Sequence, residues 1–260
     1  MAELTIDVGS ETALFLFSEA GSTEQYKIPT GEGFSLDDLN QQIADLESDY
    51  QLQDYRLALA FPGMVRDHSL VSCKHLPGLA GQNLQKLHTK GTLEVVCNDV
   101  QAAMHAVTSN KYACELLVMC SEGMGLALSI HGKVFTGANG LAGDLGNCWV
   151  MTESGEFTLE QMASGESIRQ RRLRNPVELY RSGAYLGMGI AWAINLFNPQ
   201  HLWLAGSTIA NADYYKGCVA NIREMVSPAM SGMCQISRVD DSETLVCRGL
   251  MAMLSELNNT

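Results

Sequence analysis

Short apolar runs alternate with longer amphipathic segments along this chain, which is the pattern of a mixed α/β protein. The segment 36–52 carries apolar residues at positions 36, 39, 43 and 46, a helical period, and Ser35 before it is a favourable N-cap. An apolar run that stops at Pro62 is typical of a buried strand. The pattern predicts strands at 4–9, 13–17, 26–29, 55–61, 93–97, 116–119, 126–130 and 202–205, and helices at 36–52, 100–108, 159–162, 180–197, 214–226 and 249–257.

The two halves of the chain share one arrangement. Each half begins with a strand, a glycine-containing turn and a second strand, and continues with helical and strand segments. This predicts two α/β domains of related design. We assign residues 1–108 to an N-terminal domain, with the C-terminal helix at 248–260 packing back on it, and residues 109–247 to a C-terminal domain. A ligand is then expected in the cleft between the two domains.

The net charge of −12 limits the partners that the chain can bind. Such an acidic chain is poorly suited to a large phosphate-binding surface, so we expect no nucleic-acid partner. The segment 169–174 is a local exception with four arginines. A solvated helix face is the favoured interpretation of this segment, and a patch for a phosphate or a partner is the alternative.

Neither a membrane span nor a leader is expected. The longest apolar stretch, 188–197, is ten residues long and contains Asn195, so we interpret it as a buried helix. The N-terminus has no basic region before an apolar run, which argues against a signal peptide. The eight cysteines show no CxxC spacing, and without a secretory signal they are expected to be reduced thiols in a cytoplasmic protein. No membrane partner is expected.

A glycine-rich stretch at 120–147 follows the strand predicted at 116–119 and contains seven glycines. Glycine tolerates positive φ and lets the backbone approach a ligand closely. A turn of this kind can present several N–H groups to an anion. Glu122, however, lies in the middle of the turn, where a phosphate would have to lie.

Two shorter motifs are ambiguous when each is taken alone. Asp7, two residues before Gly9 at the end of a strand, is explained by a hairpin turn. Asn98 and Asp99 follow another strand, and helix capping explains them, since both are good N-caps. The alternative is a carboxylate at a strand end that accepts a proton from a hydroxyl. Phosphoryl transfer to an alcohol needs such a base.

In their order and spacing, these motifs resemble the repressor, ORF, kinase (ROK) family of sugar kinases. This family belongs to the actin-like ATPase superfamily, whose ribonuclease H-like fold has two domains with a cleft between them. The resemblance covers nearly the whole chain. Among the branches of the family, the motif sequences are most similar to those of the N-acetylmannosamine kinases. The matching segments are 7–9 for the first phosphate loop, 61–65 and 75–79 for the sugar-side Pro-Gly turn and the segment after it, 97–103 for the Asn-Asp motif, 137–146 for the Gly-x-x-Gly-x-Ala-Gly-Glu-x-Gly-His motif, 159–165 for Leu-Glu-x-x-x-Ser-Gly, and 198–206 for the late nucleotide-side strand.

The resemblance implies a role for each matching residue. Asp99 would take the proton from the sugar hydroxyl. The residues implied on the sugar side are Asn98, Asp144 and Glu160, whose amide and carboxylate groups suit hydroxyl recognition, together with Gly63 in the Pro-Gly turn. The residues implied along Mg-ATP are Asp7, Gly9, Glu11, Glu122, Gly123, Gly125 and Gly206.

Both phosphate loops depart from the family pattern. The first reads Asp7-Val8-Gly9-Ser10-Glu11 where the family has Asp-x-Gly-Gly-Thr, and the second reads Ser121-Glu122-Gly123 where the family has Gly-Thr-Gly. A threonine hydroxyl donates to a phosphate oxygen, whereas an ionised carboxylate cannot donate. Two like charges ~4 Å apart repel by about 1 kcal/mol in water and about 4 kcal/mol at an effective dielectric constant of ~20. Two glutamates therefore predict a large loss of nucleotide affinity.

Two further segments of the chain differ from the family pattern. On the nucleotide side, the late Gly-Gly of the family is Ala205-Gly206 here. In the zinc motif, the family histidine is replaced by Asn147. Of the cysteine-rich run that follows in many members, only Cys148 remains. A structural zinc needs four ligands, so no metal site of this kind is expected.

Two functions therefore stay open. In the first, the chain binds a hexose or N-acetyl amino sugar, and ATP-dependent phosphorylation is impaired or lost. In the alternative, it is an active hexose or N-acetylmannosamine-type kinase that uses Mg-ATP, with Asp99 as general base. DNA-binding repression is not expected, because the chain begins directly with its first strand. Family members often form homodimers through the second domain, so a homodimer is an expectation that follows from the resemblance.

Overall fold

Two five-stranded sheets with the same strand order form the framework of this chain. The computed structural model describes residues 2–258. The chain divides into two compact units. The first contains the chain up to Val107 together with the chain from Thr244 onwards, and the second contains Thr108–Glu243.

Within the described residues, the first unit contains a five-stranded sheet, a separate two-stranded hairpin and three α-helices. Its strands are β1 (Glu3–Val8), β2 (Thr12–Glu19), β3 (Ser22–Pro29), β4 (Arg56–Phe61), β5 (Met64–Arg66), β6 (Ser69–Ser72) and β7 (Thr92–Asn98). Its α-helices are α1 (Leu36–Asp49), α2 (Asp99–Val107) and, at the C-terminus, α7 (Leu245–Leu257). The sheet order is β3-β2-β1-β4-β7, and β5 pairs with β6 separately. The pair β1 and β2 and the pair β2 and β3 are antiparallel, whereas β4 is parallel to both β1 and β7.

The core of the first unit follows the predicted periodicities. Every residue of β4 is buried, as expected for the strand between two parallel neighbours. Helix α1 buries Leu39 and Ile43 against the sheet, and Ser35 caps it in a capping box with Asp38, so the predicted N-cap is confirmed. Helix α1 ends before the predicted limit, and Gln51, just beyond it, has a positive φ of 52°.

A buried arginine ties helix α7 to the sheet of the first unit. The guanidinium of Arg56 donates to the carboxylate of Glu94 at 2.8 Å and to that of Glu3 at 3.2 Å. Its Nη2 also donates to the carbonyl oxygen of Leu254 at 2.7 Å. A buried charge is tolerated because it is paired and hydrogen-bonded in this way, and the arrangement holds the end of α7 in place.

The second unit has the same sheet topology as the first. Its strands are β8 (Cys114–Cys120), β9 (Met124–Ile130), β10 (Lys133–Phe135), β11 (Trp149–Thr152), β12 (Gly155–Thr158), β13 (His201–Ala205) and β14 (Gln235–Arg238), and its α-helices are α3 (Leu159–Ala163), α4 (Gly165–Gln170), α5 (Pro176–Phe197) and α6 (Ala212–Met225). The order is β10-β9-β8-β13-β14, with β11 and β12 as a separate hairpin. The first three strands are antiparallel neighbours, and β13 is parallel to both β8 and β14.

The structure adds elements that the sequence pattern does not predict. These are the short strands β5, β6, β10, β11, β12 and β14 and the short helix α4. Helix α5 starts at Pro176, capped by Asn175, and helix α7 starts at Leu245, both earlier than predicted. The sequence-based domain bounds stay a prediction, and residues 1, 259 and 260 of those ranges lie outside the described residues. Between residues 2 and 258, none of the helices is both long enough and apolar enough for a membrane crossing.

Helices α5 and α6 pack with their backbones in close contact. A Cβ added at Gly183, Gly187 or Gly217 would overlap a backbone carbonyl oxygen of the facing helix. Such a contact is available only to glycine, and it lets the apolar faces of the two helices bury Ile190 and Ile222 in the core of the second unit.

We expect Gly217→Ala to lower the free energy of unfolding by about 1–3 kcal/mol, because the added methyl group overlaps the Tyr180 carbonyl. Urea denaturation measures this change. Gly33→Ala is the control, since nothing lies within 4 Å of a Cβ added there, and its effect should stay within about 0.5 kcal/mol. A Gly217→Ala variant as stable as the wild type would contradict the described helix contact.

Candidate functional site

Two carboxylates lie at one edge of the first sheet. Asp7 is near the end of β1, and Asp99 directly follows β7. Because β1, β4 and β7 are parallel, their carboxyl ends meet at the same edge. Burial, and next the charge of Asp99, raise the pKa of Asp7 to about 8. Burial also raises the pKa of Asp99 to about 6, although hydrogen bonds from the Val100 amide, its own amide and Asn98 oppose the shift.

Asn98 connects the start of helix α2 to the Pro-Gly turn. Its side-chain oxygen accepts hydrogen bonds from the amides of Val100 at 3.0 Å and Gln101 at 3.1 Å, which caps the helix. Its Nδ2 donates to the carbonyl oxygen of Gly63 at 3.2 Å. The helix-capping interpretation of Asn98 is therefore confirmed. The same side chain fixes the position of Gly63 relative to Asp99, and its role toward a sugar hydroxyl stays a prediction.

The predicted first phosphate loop is a tight turn between β1 and β2. The amide of Gly9 donates to the carbonyl of Thr12 at 3.0 Å. Thr30 holds the loop from the side, since its hydroxyl donates to the Gly9 carbonyl at 2.7 Å and its amide donates to the Glu11 carbonyl at 2.9 Å. A Cβ at position 9 would lie only 2.8 Å from the Thr12 oxygen, so the turn requires glycine there. We call residues 9–11 the first turn. The side chain of Glu11 is exposed on it.

The predicted second phosphate loop is the turn between β8 and β9. Residues 121–123, which we call the second turn, are closed by a 2.9 Å hydrogen bond from the Ser121 amide to the Gly123 carbonyl. Helix α4 is docked on this turn by two backbone hydrogen bonds. The amide of Gly165 donates to the Ser121 carbonyl at 2.7 Å, and the amide of Glu166 donates to the Glu122 carbonyl at 3.0 Å.

The turn after β13 lies against the second turn as well. Gly206 has a positive φ of 106°, and a Cβ there would overlap the backbone of Cys120. The amide of Ser207 donates to the hydroxyl oxygen of Ser121 at 3.1 Å, and the hydroxyl of Thr208 donates to the Ser121 carbonyl at 3.1 Å. The predicted nucleotide-side residues of the second unit, Glu122, Gly123, Gly125 and Gly206, are thus brought to one edge of its sheet.

The carboxylate of Glu122 forms an ion pair with Arg169. Oε2 of Glu122 lies 2.5 Å from Nη1 of Arg169, which projects from helix α4. The arginine side chain is 57% exposed and the glutamate 24%. Exposed ion pairs of this kind are typically worth about 0–1 kcal/mol. The sequence indicated both a basic segment and an isolated glutamate, but the pairing of the two was not predicted.

Asp144 and Glu160, the predicted sugar-side carboxylates of the second unit, come from neighbouring segments. Nδ2 of Asn147 lies 3.0 Å and 2.9 Å from the two oxygens of Asp144 and donates to that carboxylate. A Cβ added at Gly146 would lie 3.2 Å from Oε2 of Glu160, so the glycine lets the loop approach helix α3 closely. Asn147, the position of the family histidine, is therefore a hydrogen-bond partner of Asp144, a contact that the sequence did not reveal.

We expect the Asp7→Asn variant to gain stability relative to the wild type as the pH rises. The pKa of about 8 in the folded protein lies above the ordinary value of 3.8, so the folded state holds this proton more tightly than the unfolded chain. The free energy of unfolding that Asp7 contributes therefore falls as the pH rises between these two values. Urea denaturation should show a relative gain of at least about 1 kcal/mol between about pH 5 and about pH 8.

The control for this experiment is Gly33→Ala, a neutral change at a position with nothing within 4 Å of the added Cβ. Its stability difference from the wild type should stay constant over the same range. An Asp7→Asn difference that does not change with pH would contradict the burial of the Asp7 carboxyl beside Asp99.

Comparisons with known proteins identify the family of this chain. The sequence profile of the ROK family matches residues 3–181. An N-acetylmannosamine kinase of Escherichia coli is 28% identical over 158 residues, which cover 56% of this chain and 54% of that protein. The match to the curated relatives thus spans about half of their length.

Two solved structures have closely similar folds. A ROK family glucokinase from Streptomyces griseus, in complex with glucose and AMPPNP, has a TM-score of 0.76 at 14% identity and covers 98% of this chain and 99% of its own. A ROK family protein from Streptococcus pneumoniae, in complex with sucrose, has a TM-score of 0.76 at 20% identity and covers 100% of both chains. At these identities the likeness shows the fold, and the predicted α/β, actin-like ATPase fold is confirmed.

The family profile covers more than half of the chain, and the two solved ROK proteins share its fold. This chain therefore belongs to the ROK family.

Proposed function

We propose that this chain binds a hexose or an N-acetyl amino sugar and that its ATP-dependent phosphorylation is impaired or lost. The observation that carries the proposal is a contrast between two groups of residues. The predicted base and sugar-side carboxylates are kept and positioned by neighbouring residues, whereas both predicted phosphate turns carry glutamate. Function depends on the chemistry of such groups more than on the fold.

Asp99 has the properties that a general base needs. A pKa raised to about 6 leaves its carboxyl ionised at neutral pH and makes it a stronger base than an ordinary aspartate. The Val100 amide donates to its Oδ1 at 2.8 Å, which orients the carboxylate at the start of α2. In the proposed role it accepts the proton of a sugar hydroxyl.

Asn98, Asp144 and Glu160 are proposed to recognise the other sugar hydroxyls. Carboxylate oxygens accept hydrogen bonds from vicinal hydroxyls, and Asn147 orients the carboxylate of Asp144 for this purpose. The relatives, which include an N-acetylmannosamine kinase and a glucokinase crystallised with glucose, support the proposed substrate class.

Asp7 fits the requirements of a magnesium ligand. Its carboxylate is a hard oxygen donor, which Mg²⁺ prefers, and a cation there would offset both its burial and its repulsion from Asp99. When bound with ATP, the cation supplies positive charge to the phosphates. The rest of the first turn suits this less well, since Glu11 offers an acceptor where the family offers a threonine donor.

An active kinase is the second candidate, and the Glu122–Arg169 ion pair is the observation that favours it. A guanidinium beside the glutamate reduces the negative charge that a phosphate would meet at the second turn. Under this candidate, Mg-ATP binds and Asp99 acts as the general base in the phosphorylation of the bound sugar.

The sugar-binding part predicts stabilisation by a sugar ligand. In a thermal-shift panel of N-acetylmannosamine, N-acetylglucosamine, glucose and fructose, at least one sugar at ten times its dissociation constant should add about 1.4 kcal/mol, a rise of roughly 3–5 °C in melting temperature. Glu160→Gln should weaken the effect at least about tenfold in dissociation constant. Glu178→Gln, at an exposed position of α5, is the matched control. No stabilisation by any of the four at millimolar concentration would overturn the proposed sugar binding.

The nucleotide part predicts weak binding of Mg-ATP to the unmodified chain, with a dissociation constant in the millimolar range or above. Glu11→Thr should tighten binding at least about fivefold, because it removes a like charge whose repulsion is worth about 1–4 kcal/mol. Calorimetric titration measures both values, and Glu19→Thr, at an exposed position of β2, is the control.

A coupled kinase assay with the same sugars separates the two candidates. Turnover near the detection limit supports the impaired protein. Clear turnover that Asp99→Asn abolishes supports the active kinase, and micromolar affinity of the unmodified chain for Mg-ATP would contradict the proposed impairment.

A further inference from the structure

The Glu122–Arg169 ion pair lies where helix α4 is docked on the second turn. The backbone hydrogen bonds from Gly165 to Ser121 and from Glu166 to Glu122 fix the first residues of α4 against the turn. A Cβ at Gly165 would overlap the Ser121 carbonyl region and lie 2.8 Å from the hydroxyl oxygen of Thr208. The contact between α4 and the second turn is therefore tight. Arg169 lies about one helical turn after Gly165, so the docked helix places it beside the second turn.

The guanidinium of Arg169 is chemically suited to a phosphate. Its planar group of N–H donors matches the oxygens of a phosphate as well as those of a carboxylate. Glu122 presents a carboxylate to this group from the middle of the second turn. The glutamate thus supplies the same kind of anionic oxygens that a phosphate at this turn would supply.

The pair is exposed enough to be opened by a ligand. The arginine side chain is 57% exposed, and ion pairs with this exposure contribute little to stability. A phosphate group carries more negative charge than one carboxylate, so it competes effectively for the same guanidinium.

We propose that Arg169 is the anion-binding side chain of the second turn and that Glu122 occupies it as an internal competitor, so that nucleotide phosphates bind by displacing the Glu122 carboxylate. This inference rests on the proposed function, because it takes the second turn as the nucleotide side. In this proposal, Glu122 weakens nucleotide binding by keeping Arg169 occupied, in addition to repelling the phosphates.

The two roles of Glu122 predict different couplings with Arg169. If Glu122 only repels phosphate, its replacement improves binding whether or not Arg169 is present. If Glu122 competes for Arg169, the gain disappears when the arginine is removed. Residues in one ion pair are expected to show such non-additivity.

Calorimetric titration with Mg-AMPPNP, and separately with magnesium pyrophosphate, tests the coupling in four proteins: wild type, Glu122→Gln, Arg169→Gln and the double variant. Glu122→Gln should bind both ligands at least about tenfold more tightly than the wild type. The double variant should return to within about threefold of the wild type. Glu122→Gln combined with Arg169→Lys, which keeps the charge but not the planar group, should keep part of the gain.

Arg174→Gln combined with Glu122→Gln is the matched control, since Arg174 belongs to the same basic segment, and it should keep the full gain. A double variant at positions 122 and 169 that binds as tightly as Glu122→Gln alone would overturn the proposal, as would the absence of any gain in Glu122→Gln. Melting temperatures of all variants confirm that they are folded. The sugar panel is independent of this coupling, so a failure of the proposed sugar binding is distinguishable from a failure of the proposal about Arg169.

Discussion

The parallel pairing of β4 with β1 and β7, and of β13 with β8, is the constraint on which the candidate chemistry depends. Parallel strands bring their carboxyl ends to one edge of a sheet. In the first unit this places Asp99 close enough to Asp7 for its charge to raise the pKa of the Asp7 carboxyl. In the second unit it brings the second turn against the turn that begins at Gly206. The positions of these polar residues therefore follow from the sheet topology, because the residues lie at the ends of strands whose apolar side chains pack in the core.

Much of this framework was predictable because local signals and packing agree. Apolar runs predicted every strand of the two sheets except the short edge strands β10 and β14. Helix α1 was predicted with its cap, Ser35. The unpredicted hairpins, β5–β6 and β11–β12, have strands of three or four residues, too short for an alternating pattern to emerge. Helix α7 begins earlier than predicted, because Gly249, a weak helix former, lies inside the helix and packs against the Ala102 carbonyl.

The candidate site was predictable as a set of residues but not as a set of contacts. The motifs gave the predicted positions of a base and of sugar-side carboxylates, since their spacing matches a family pattern. They did not give the ion pair of Glu122 with Arg169 or the hydrogen bonds from Asn147 to Asp144, because such contacts depend on how α4 and the 137–147 loop fold back. The favoured interpretation of the arginine segment, a solvated helix face, was therefore incomplete, because Arg169 contacts Glu122 and Arg171 donates to the Met162 carbonyl at 3.2 Å.

These contacts change how strongly each departure from the family pattern is expected to affect ligand binding. The sequence alone predicts the same repulsion of a phosphate from each of the two glutamates in the phosphate turns. In the structure, Glu122 forms an ion pair with Arg169, and Thr30 holds the backbone of the first turn, on which Glu11 lies. Asn147, which counts in the sequence as a lost zinc ligand, supports the carboxylate of Asp144. Glu122 and Asn147 thus each contact a neighbouring residue of the second unit. The cost of Glu122 to nucleotide binding therefore depends on Arg169, which the sequence pattern alone does not reveal.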